Sequence, residues 1–317
     1  MGLSNLSNLY KTPEERATEL RLQEEREQRL KSNSLERILS SGKFKGILPD
    51  ETISELIMNV NTDISLDKVI LSKENKGLLQ SFLTEHAARD KLLKYGLTPM
   101  NRILCYGASG CGKTFMGKAL SNYLGYDMLY VDITTSLAKG NVAENLSNIF
   151  KLATVGKCIV FLDECDSIAW NRDSSNAERG DVRRATNSLF QYIDQLTPNS
   201  ILLCATNMLQ RLDPAFERRF NIKMQFLRPQ IDFLEAIHKF LFDDFTLEND
   251  VSEVEISIVR NRLKDYTKLS YFELQDLTER GMKKAVIQDS TVVKLSWIVA
   301  ELETILRLRK RFKIEDE

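Results

Sequence analysis

Short, continuous apolar runs alternate with longer amphipathic segments between residues 62 and 228 of this 317-residue chain. The runs at 103–106, 158–162 and 201–205 lack the alternating polar positions of a half-exposed strand, which is typical of strands buried on both faces. The segments between them place apolar residues at helical spacing. We therefore predict a parallel sheet with helices packed on both of its faces.

After residue 228 the strand pattern stops, and the rest of the chain shows only amphipathic helical patterns. Two of these helices begin at capping boxes, Ser252-x-x-Glu255 and Ser270-x-x-Glu273. Four helices are predicted in this part, near residues 231–243, 252–264, 271–288 and 295–311. They indicate a small all-α domain that follows the α/β core.

The chain before residue 62 carries less information about chemistry. Acidic and basic residues pair at helical spacing between Thr12 and Lys31, which predicts a solvated helix. Apolar residues from Leu35 to Ile57 predict a small helical patch. The chain is therefore predicted to have three parts: a helical segment over 1–61, an α/β core over 62–228 and a helical lid over 229–317.

Composition and charge narrow the class of protein. The 44 Lys and Arg residues are balanced by 45 Asp and Glu residues, so the chain lacks the basic surplus of a protein whose main partner is nucleic acid. No apolar run approaches the ~18–20 residues that span a bilayer, and no signal-peptide pattern opens the chain. We expect a cytoplasmic protein without a membrane span.

Residues 107–114 read Gly-Ala-Ser-Gly-Cys-Gly-Lys-Thr and match the phosphate-binding pattern G-x-x-x-x-G-K-[ST]. The strand pattern before them and the helical pattern after them supply the context that this loop requires, which disfavours a chance surface loop. Glycines let backbone N–H groups turn towards phosphates, Lys113 reaches the β and γ oxygens, and Thr114 ligates Mg²⁺. Nine residues are predicted to contact ATP: Gly107, Ala108, Ser109, Gly110, Cys111, Gly112, Lys113, Thr114 and Phe115.

Two acidic residues follow the apolar run at 158–162. Asp163 is predicted to hold Mg²⁺, and Glu164 to orient and deprotonate the water that attacks the γ-phosphate. An acidic cap at a strand-to-helix junction is the structural alternative. The run at 201–205 is followed by Asn207, which is predicted to lie between that water and the γ-phosphate.

Two adjacent arginines, Arg218 and Arg219, follow an Asp-Pro-Ala sequence. Paired arginines on a surface helix are commonly solvated charge. Here they complete the order phosphate loop, Asp-Glu, Asn, Asp-Pro-Ala and Arg-Arg. A guanidinium at the γ-phosphate would neutralise charge that develops in the transition state, an effect worth about 10³–10⁵ in rate.

With these motifs the chain resembles the AAA clade of ring-forming ATPases, which includes the membrane-protease, valosin-type and microtubule-severing ATPases. The resemblance covers roughly residues 62–290. It rests on the phosphate loop, on Thr62-Asp-Ile-Ser-Leu-Asp near its start, and on Asp163-Glu-Cys-Asp-Ser-Ile, which is close to the family's D-E-x-D-S-I.

The resemblance implies an AAA+ core with the P-loop NTPase fold, a helical lid and Mg²⁺-dependent ATP hydrolysis. It implies that Asn207 is the first sensor residue and that Arg218 and Arg219 are arginine fingers, which act on the site of a neighbouring subunit. A homo-oligomer, most often a hexamer, follows from that role. It also implies that the segment over 1–61 binds a client or an adaptor.

The sequence departs from the family's pattern at three places. Ala138 falls where the family has a substrate-gripping aromatic residue, so Leu137 or Lys139 would have to grip a threaded polypeptide. The two residues that usually separate the fingers are missing. The segment that usually places a Gly-Ala pair beside the adenine has no arginine for a second sensor, and Gln275 is the residue predicted to contact nucleotide there, with Lys268 as its alternative.

These features predict an ATP-hydrolysing ring motor that remodels or unfolds a protein client or powers a partner effector enzyme, such as a separately encoded protease. The alternative is an ATP-dependent switch or assembly factor that does not thread polypeptides, which Ala138 favours. A nucleic-acid loader is a third class, and it requires a basic surface that the net charge of -1 does not indicate.

Overall fold

The computed structural model describes residues 34–41, 44, 46–60, 62–135, 142–169, 180–229, 233–252 and 269–312. A central sheet of five parallel strands has the order β2-β3-β4-β1-β5, which confirms the predicted α/β fold. Its strands are β1 (Arg102–Gly107), β2 (Asp127–Asp132), β3 (Cys158–Asp163), β4 (Ile201–Thr206) and β5 (Ile222–Phe226).

Helices surround this sheet. They are α1 (Ser34–Ser40), α2 (Asp50–Leu56), α3 (Lys73–Ala87), α4 (Arg89–Lys94), α5 (Lys113–Leu124), α6 (Val142–Val155), α7 (Gly180–Gln195) and α8 (Pro214–Glu217). Short 3-10 turns stand at Leu66–Lys68, Cys165–Ser167 and Leu209–Arg211.

The two faces of the sheet carry separate apolar layers, as β3 shows. Val160 and Leu162 pack in one buried cluster, whereas Ile159 and Phe161 pack in the other. Side chains alternate between the faces of a strand, so a strand covered on both sides must be apolar at every position. This is the reason that β3 and β4 are continuous apolar runs in the sequence.

The first described segment packs on the sheet. Ile38 and Ile53 are both 1% exposed and belong to the same buried cluster as Val160. The Met58 N–H donates to the Tyr130 carbonyl over 2.9 Å, which attaches this segment to the outer edge of β2. The predicted helical patch is present as α1 and α2, and the predicted helix between Thr12 and Lys31 lies outside the described residues.

The C-terminal part has its own buried cluster, which includes Ile237, Leu274, Leu277 and Ile298. Its elements are α9 (Phe233–Phe240), β6 (Thr246–Glu248), α10 (Tyr271–Ile287), β7 (Val292–Lys294) and α11 (Leu295–Phe312). Three helices therefore stand close to their predicted positions, and the helix predicted near 252–264 lies outside the described residues.

The parallel pair of β6 and β7 was not part of the prediction, which had this domain as all-α. Each of these strands has three residues, too few for a period-2 pattern to emerge from the sequence. Across the described ranges, every helix is too short or too polar to cross a membrane.

Candidate nucleotide-binding site

The loop between β1 and α5 depends on glycine at the point where it leaves the sheet. Gly107 has φ 133°, and a Cβ there would stand 2.0 Å from the Phe226 carbonyl oxygen of β5. Gly112 also has a positive φ, of 98°, directly before α5 begins at Lys113. The chain can therefore turn sharply from the sheet into the helix, and the N-terminus of α5 faces the cleft beyond β1.

Lys113 lies at the centre of this cleft. Its Nζ donates to the carbonyls of Gly107 and Ala108 over 2.8 and 2.9 Å and to Asn207 Oδ1 over 2.7 Å. The residue is 7% exposed, and burial lowers the pKa of its ammonium group. All three acceptors are neutral, so an anionic phosphate oxygen would be a stronger partner for this cation. The loop and Lys113 thus fit a phosphate group.

Asp163, at the end of β3, collects hydrogen bonds from three directions. Its Oδ2 accepts from Thr114 Oγ1 over 3.0 Å and from the Tyr130 hydroxyl over 2.7 Å. Its Oδ1 accepts from the Glu164 N–H over 3.0 Å. Burial and the nearby Asp163 charge raise the pKa of Tyr130, which keeps its hydroxyl a donor. A hydroxyl beside a carboxylate is a ligand pair of the kind that Mg²⁺ prefers, so these residues fit the predicted metal.

Glu164 is held in an unusual backbone conformation. Its φ of 54° and ψ of 42° are left-handed, a region that residues other than glycine rarely occupy. Its side chain is exposed, and Oε2 accepts from Thr134 Oγ1 over 2.7 Å. Thr134 lies just beyond the C-terminal end of β2, so neighbouring strands orient this carboxylate at the cleft.

The structure brings together the five residues with predicted roles in phosphate, metal and water chemistry: Lys113, Thr114, Asp163, Glu164 and Asn207. We call this group the phosphate end of the cleft. The cleft has a volume of about 290 Å³. The end of β4 is joined to the turn after β3, because Thr206 Oγ1 donates to Asp166 Oδ1 over 2.7 Å.

The other wall of the cleft contains residues that the sequence analysis did not single out. They are Lys68, Val69, Ile70, Phe240, Tyr271 and Phe272. The Lys68 ammonium group pairs with Asp243 over 3.1 Å, so the segment before α3 contacts the C-terminal domain beside the cleft. The aromatic pair that follows the predicted cap at Ser270 was the available signal for this apolar wall.

The C-terminal domain docks directly on the phosphate loop. The Phe272 N–H donates to the Gly110 carbonyl over 3.1 Å, and a Cβ at Gly110 would stand 2.8 Å from Ser270 Oγ. Ser270 forms the predicted capping box with Glu273, which begins α10 at this contact. Gln275 also lines the cleft, but its Nε2 donates to Glu279 Oε1 over 3.0 Å.

Arg218 and Arg219 follow α8 and do not line the cleft. Arg219 pairs with Asp194 over 3.1 Å, and its guanidinium stands 4.5 Å from the centre of the Phe190 ring. The Arg218 side chain is exposed, and its Nε donates to the Pro214 carbonyl over 3.2 Å. The structure therefore does not place either arginine at the cleft of its own chain.

Four residues that bear on substrate gripping or on nucleotide contact lie outside the described part of the chain. They are Leu137, Ala138, Lys139 and Lys268. Their predicted roles in substrate gripping and nucleotide contact stay predictions.

Comparison with known proteins finds similarity to AAA ATPases. Residues 103–228 match the family described as "ATPase family associated with various cellular activities (AAA)". Over 240 residues the chain is 27% identical to an uncharacterized AAA family ATPase of Sinorhizobium fredii, which covers 75% of this chain and 70% of that protein. Over 276 residues it is 25% identical to a putative 26S proteasome regulatory subunit homolog of Methanocaldococcus jannaschii, covering 81% of this chain and 71% of that protein.

Proposed function

We propose that this chain, an ATPase whose residues 103–228 belong to the AAA family, assembles into a ring motor that remodels or unfolds a protein client or powers a partner effector enzyme. The observation that carries the proposal is the position of Arg218. Its side chain is exposed and outside the cleft, whereas the phosphate end is complete within one chain. A second copy of the chain would supply the missing arginine.

ATP is the substrate in this proposal. The loop from Gly107 to Gly112 and the Lys113 ammonium bind its phosphates. Thr114 and Asp163 would hold Mg²⁺, which when bound neutralises charge on the phosphate oxygens. These groups fix the reacting phosphate against the end of the sheet.

The attacking water is the next requirement. Glu164 accepts its proton, and the hydrogen bond from Thr134 over 2.7 Å holds the carboxylate until the substrate is in place. Asn207 orients the water, and it already contacts Lys113 at the phosphate end. Gln275 is proposed as a contact of the nucleotide from α10.

The partner enzyme is proposed as a class of protein. One relative is named as a putative proteasome regulatory subunit homolog, which supports a separately encoded protease as the enzyme that this motor serves. The segment before residue 62 is proposed to receive a client or adaptor. The division into 1–61, 62–228 and 229–317, the cytoplasmic location and the absence of a nucleic-acid partner stay predictions from the sequence.

The alternative function is an ATP-dependent switch or assembly factor. Ala138 supports it, because an alanine has no large side chain to wedge against a threaded polypeptide. A threading motor should hydrolyse ATP faster when unfolded protein is added and should lose that response in Leu137→Ala or Lys139→Ala. A switch should show neither effect and should bind its partner only with ATP.

The ring is tested by the solution mass of Glu164→Gln with and without Mg²⁺ and ATP. This change removes the proposed base and should trap bound ATP. We expect a nucleotide-dependent shift from smaller species to a hexamer, and Lys113→Ala in the same experiment should stay unshifted because it loses the phosphate contact. A Glu164→Gln protein that binds ATP and stays monomeric would contradict the ring proposal.

A further inference from the structure

Tyr130 is the donor to Asp163 that the ATPase motifs do not include. Its hydroxyl lies 2.7 Å from Asp163 Oδ2, the same oxygen that accepts from Thr114 over 3.0 Å. Tyr130 is in β2 and Asp163 ends β3, and the two strands are neighbours in the sheet. The hydrogen bond therefore crosses from the edge strand to the phosphate end.

Tyr130 is held both by its ring and by its backbone. It stacks on Phe161, with the ring centres 5.4 Å apart and an angle of 16° between the planes. Phe161 is itself fully buried, and a Cβ at Gly117 would stand 2.5 Å from its ring. On the outer edge, the Met58 N–H donates to the Tyr130 carbonyl over 2.9 Å. The hydroxyl is thus presented from a closely packed support.

We propose that Tyr130 is a positioning residue, which orients the Asp163 carboxylate for Mg²⁺ at the nucleotide site. The inference rests on the proposed function, because the metal role of Asp163 is part of that proposal. Asp163 also accepts from Thr114 and Glu164, but only Tyr130 approaches it from the neighbouring strand. Its hydroxyl adds a further constraint on the direction of Oδ2, beside the hydrogen bonds from Thr114 and from the Glu164 N–H.

The test is Tyr130→Phe, which keeps the ring and its stacking and removes only the hydroxyl. Binding of a fluorescent, non-hydrolysable ATP analogue is measured in EDTA and then as Mg²⁺ is added. In EDTA we expect the parental affinity, since Tyr130 has no proposed contact with nucleotide. The Mg²⁺ response is the change in analogue binding as Mg²⁺ is added. The Mg²⁺ concentration that gives half of this change should rise by about 10- to 100-fold, the usual effect of losing a group that orients a metal ligand.

Tyr126→Phe is the matched control. Its hydroxyl is also partly buried but bonds His86 over 2.9 Å and Arg89 over 3.2 Å, away from Asp163. This variant should keep the parental Mg²⁺ response. A Tyr130→Phe protein with the parental response would overturn the proposal, and so would an equal shift in both variants.

Asp163→Asn separates this inference from the proposed function. If Asp163 holds the metal, the Mg²⁺ response of this variant should be lost or greatly weakened. Loss in Asp163→Asn with no change in Tyr130→Phe would reject the role of Tyr130 alone. A parental response in Asp163→Asn would reject the metal role of Asp163 and the positioning role together. Binding in EDTA shows that each variant has a folded cleft.

Discussion

The phosphate end of the cleft and the pair of arginines after α8 were both predicted from motifs, but their surroundings differ. At the phosphate end, Lys113 meets three acceptors of its own chain and Asp163 meets three donors. After α8, Arg219 pairs with Asp194, whereas the Arg218 side chain is exposed and forms no ion pair with any residue of the described ranges.

The difference separates binding from hydrolysis. Groups that are already oriented by their own chain can bind a phosphate with little reorganisation, because their conformational entropy has been lost on folding. The charge that develops during hydrolysis needs a further cation at the γ-phosphate. We infer that one chain can bind ATP and that two chains are needed to hydrolyse it rapidly.

The largest expected effect is that of Arg218→Ala on turnover. Phosphate release at saturating ATP should fall by roughly 10³–10⁵-fold, the usual contribution of an arginine finger, while equilibrium binding of ATP stays at the parental level. Arg307→Ala, which removes another exposed arginine, from α11, should leave both quantities unchanged.

Mixing variants tests whether Arg218 acts between subunits. Arg218→Ala keeps an intact phosphate end, and Glu164→Gln keeps the arginine, so a mixture should regain turnover that neither variant has alone. Failure of the mixture to recover, with mixed oligomers demonstrated by mass, would place the arginine in its own chain's reaction. Parental turnover in Arg218→Ala alone would contradict a catalytic role of Arg218.

Arg219→Ala should have a smaller effect, and mainly on stability. The variant loses a partly exposed ion pair with Asp194 and the stacking on Phe190, together about 1 kcal/mol of unfolding free energy. A loss of that size lowers the melting temperature by roughly 2–4 °C in a domain of this size. Thermal unfolding of Arg218→Ala beside it should show no shift, because its side chain is exposed.

A different result for Arg219→Ala would show that the two arginines are equivalent fingers. In that case Arg219→Ala would lose turnover as severely as Arg218→Ala and keep the parental melting temperature. Asp194→Asn provides the intermediate variant, since it breaks the ion pair and keeps the Arg219 guanidinium. It should lower the melting temperature slightly and retain turnover.

The smallest effect is expected for Gln275→Ala. The Gln275 amide is engaged by Glu279 over 3.0 Å, so any nucleotide contact has to replace an existing hydrogen bond. We expect ATP affinity to fall by no more than about threefold, or ~0.6 kcal/mol. Titration calorimetry measures the ATP affinity of Gln275→Ala, with Glu279→Gln as the companion variant. A loss above tenfold would show that a side chain with a partner in the chain can still be recruited by ATP.

The central strands could be predicted because burial on both faces leaves a local signature. β3 and β4 are apolar up to their last residues, Asp163 and Thr206, and were identified as continuous runs. β5 was not named among those runs, since Lys223 and Gln225 are exposed and interrupt the pattern. An edge strand is covered on fewer sides, so its sequence is less constrained.

The phosphate end could also be predicted, because its loop is one short segment and its acids stand at the end of another core strand, β3. The opposite wall of the cleft could not be predicted from the sequence. Lys68 and Phe272 are far apart in the chain and line the same cleft because the C-terminal domain docks on Gly110. No local period or motif encodes that arrangement.

The sequence by itself therefore determined the parallel sheet, the phosphate loop and the identity of the residues at the carboxyl ends of the strands. These features depend on local spacing, on glycine at positive φ and on the cost of placing polar groups in a core strand. Only the tertiary structure decided that Tyr130 reaches Asp163 and that Arg219 pairs with Asp194, whereas Arg218 is exposed. Such contacts depend on which strands are neighbours and on how distant helices pack, and a one-dimensional pattern does not contain these distances.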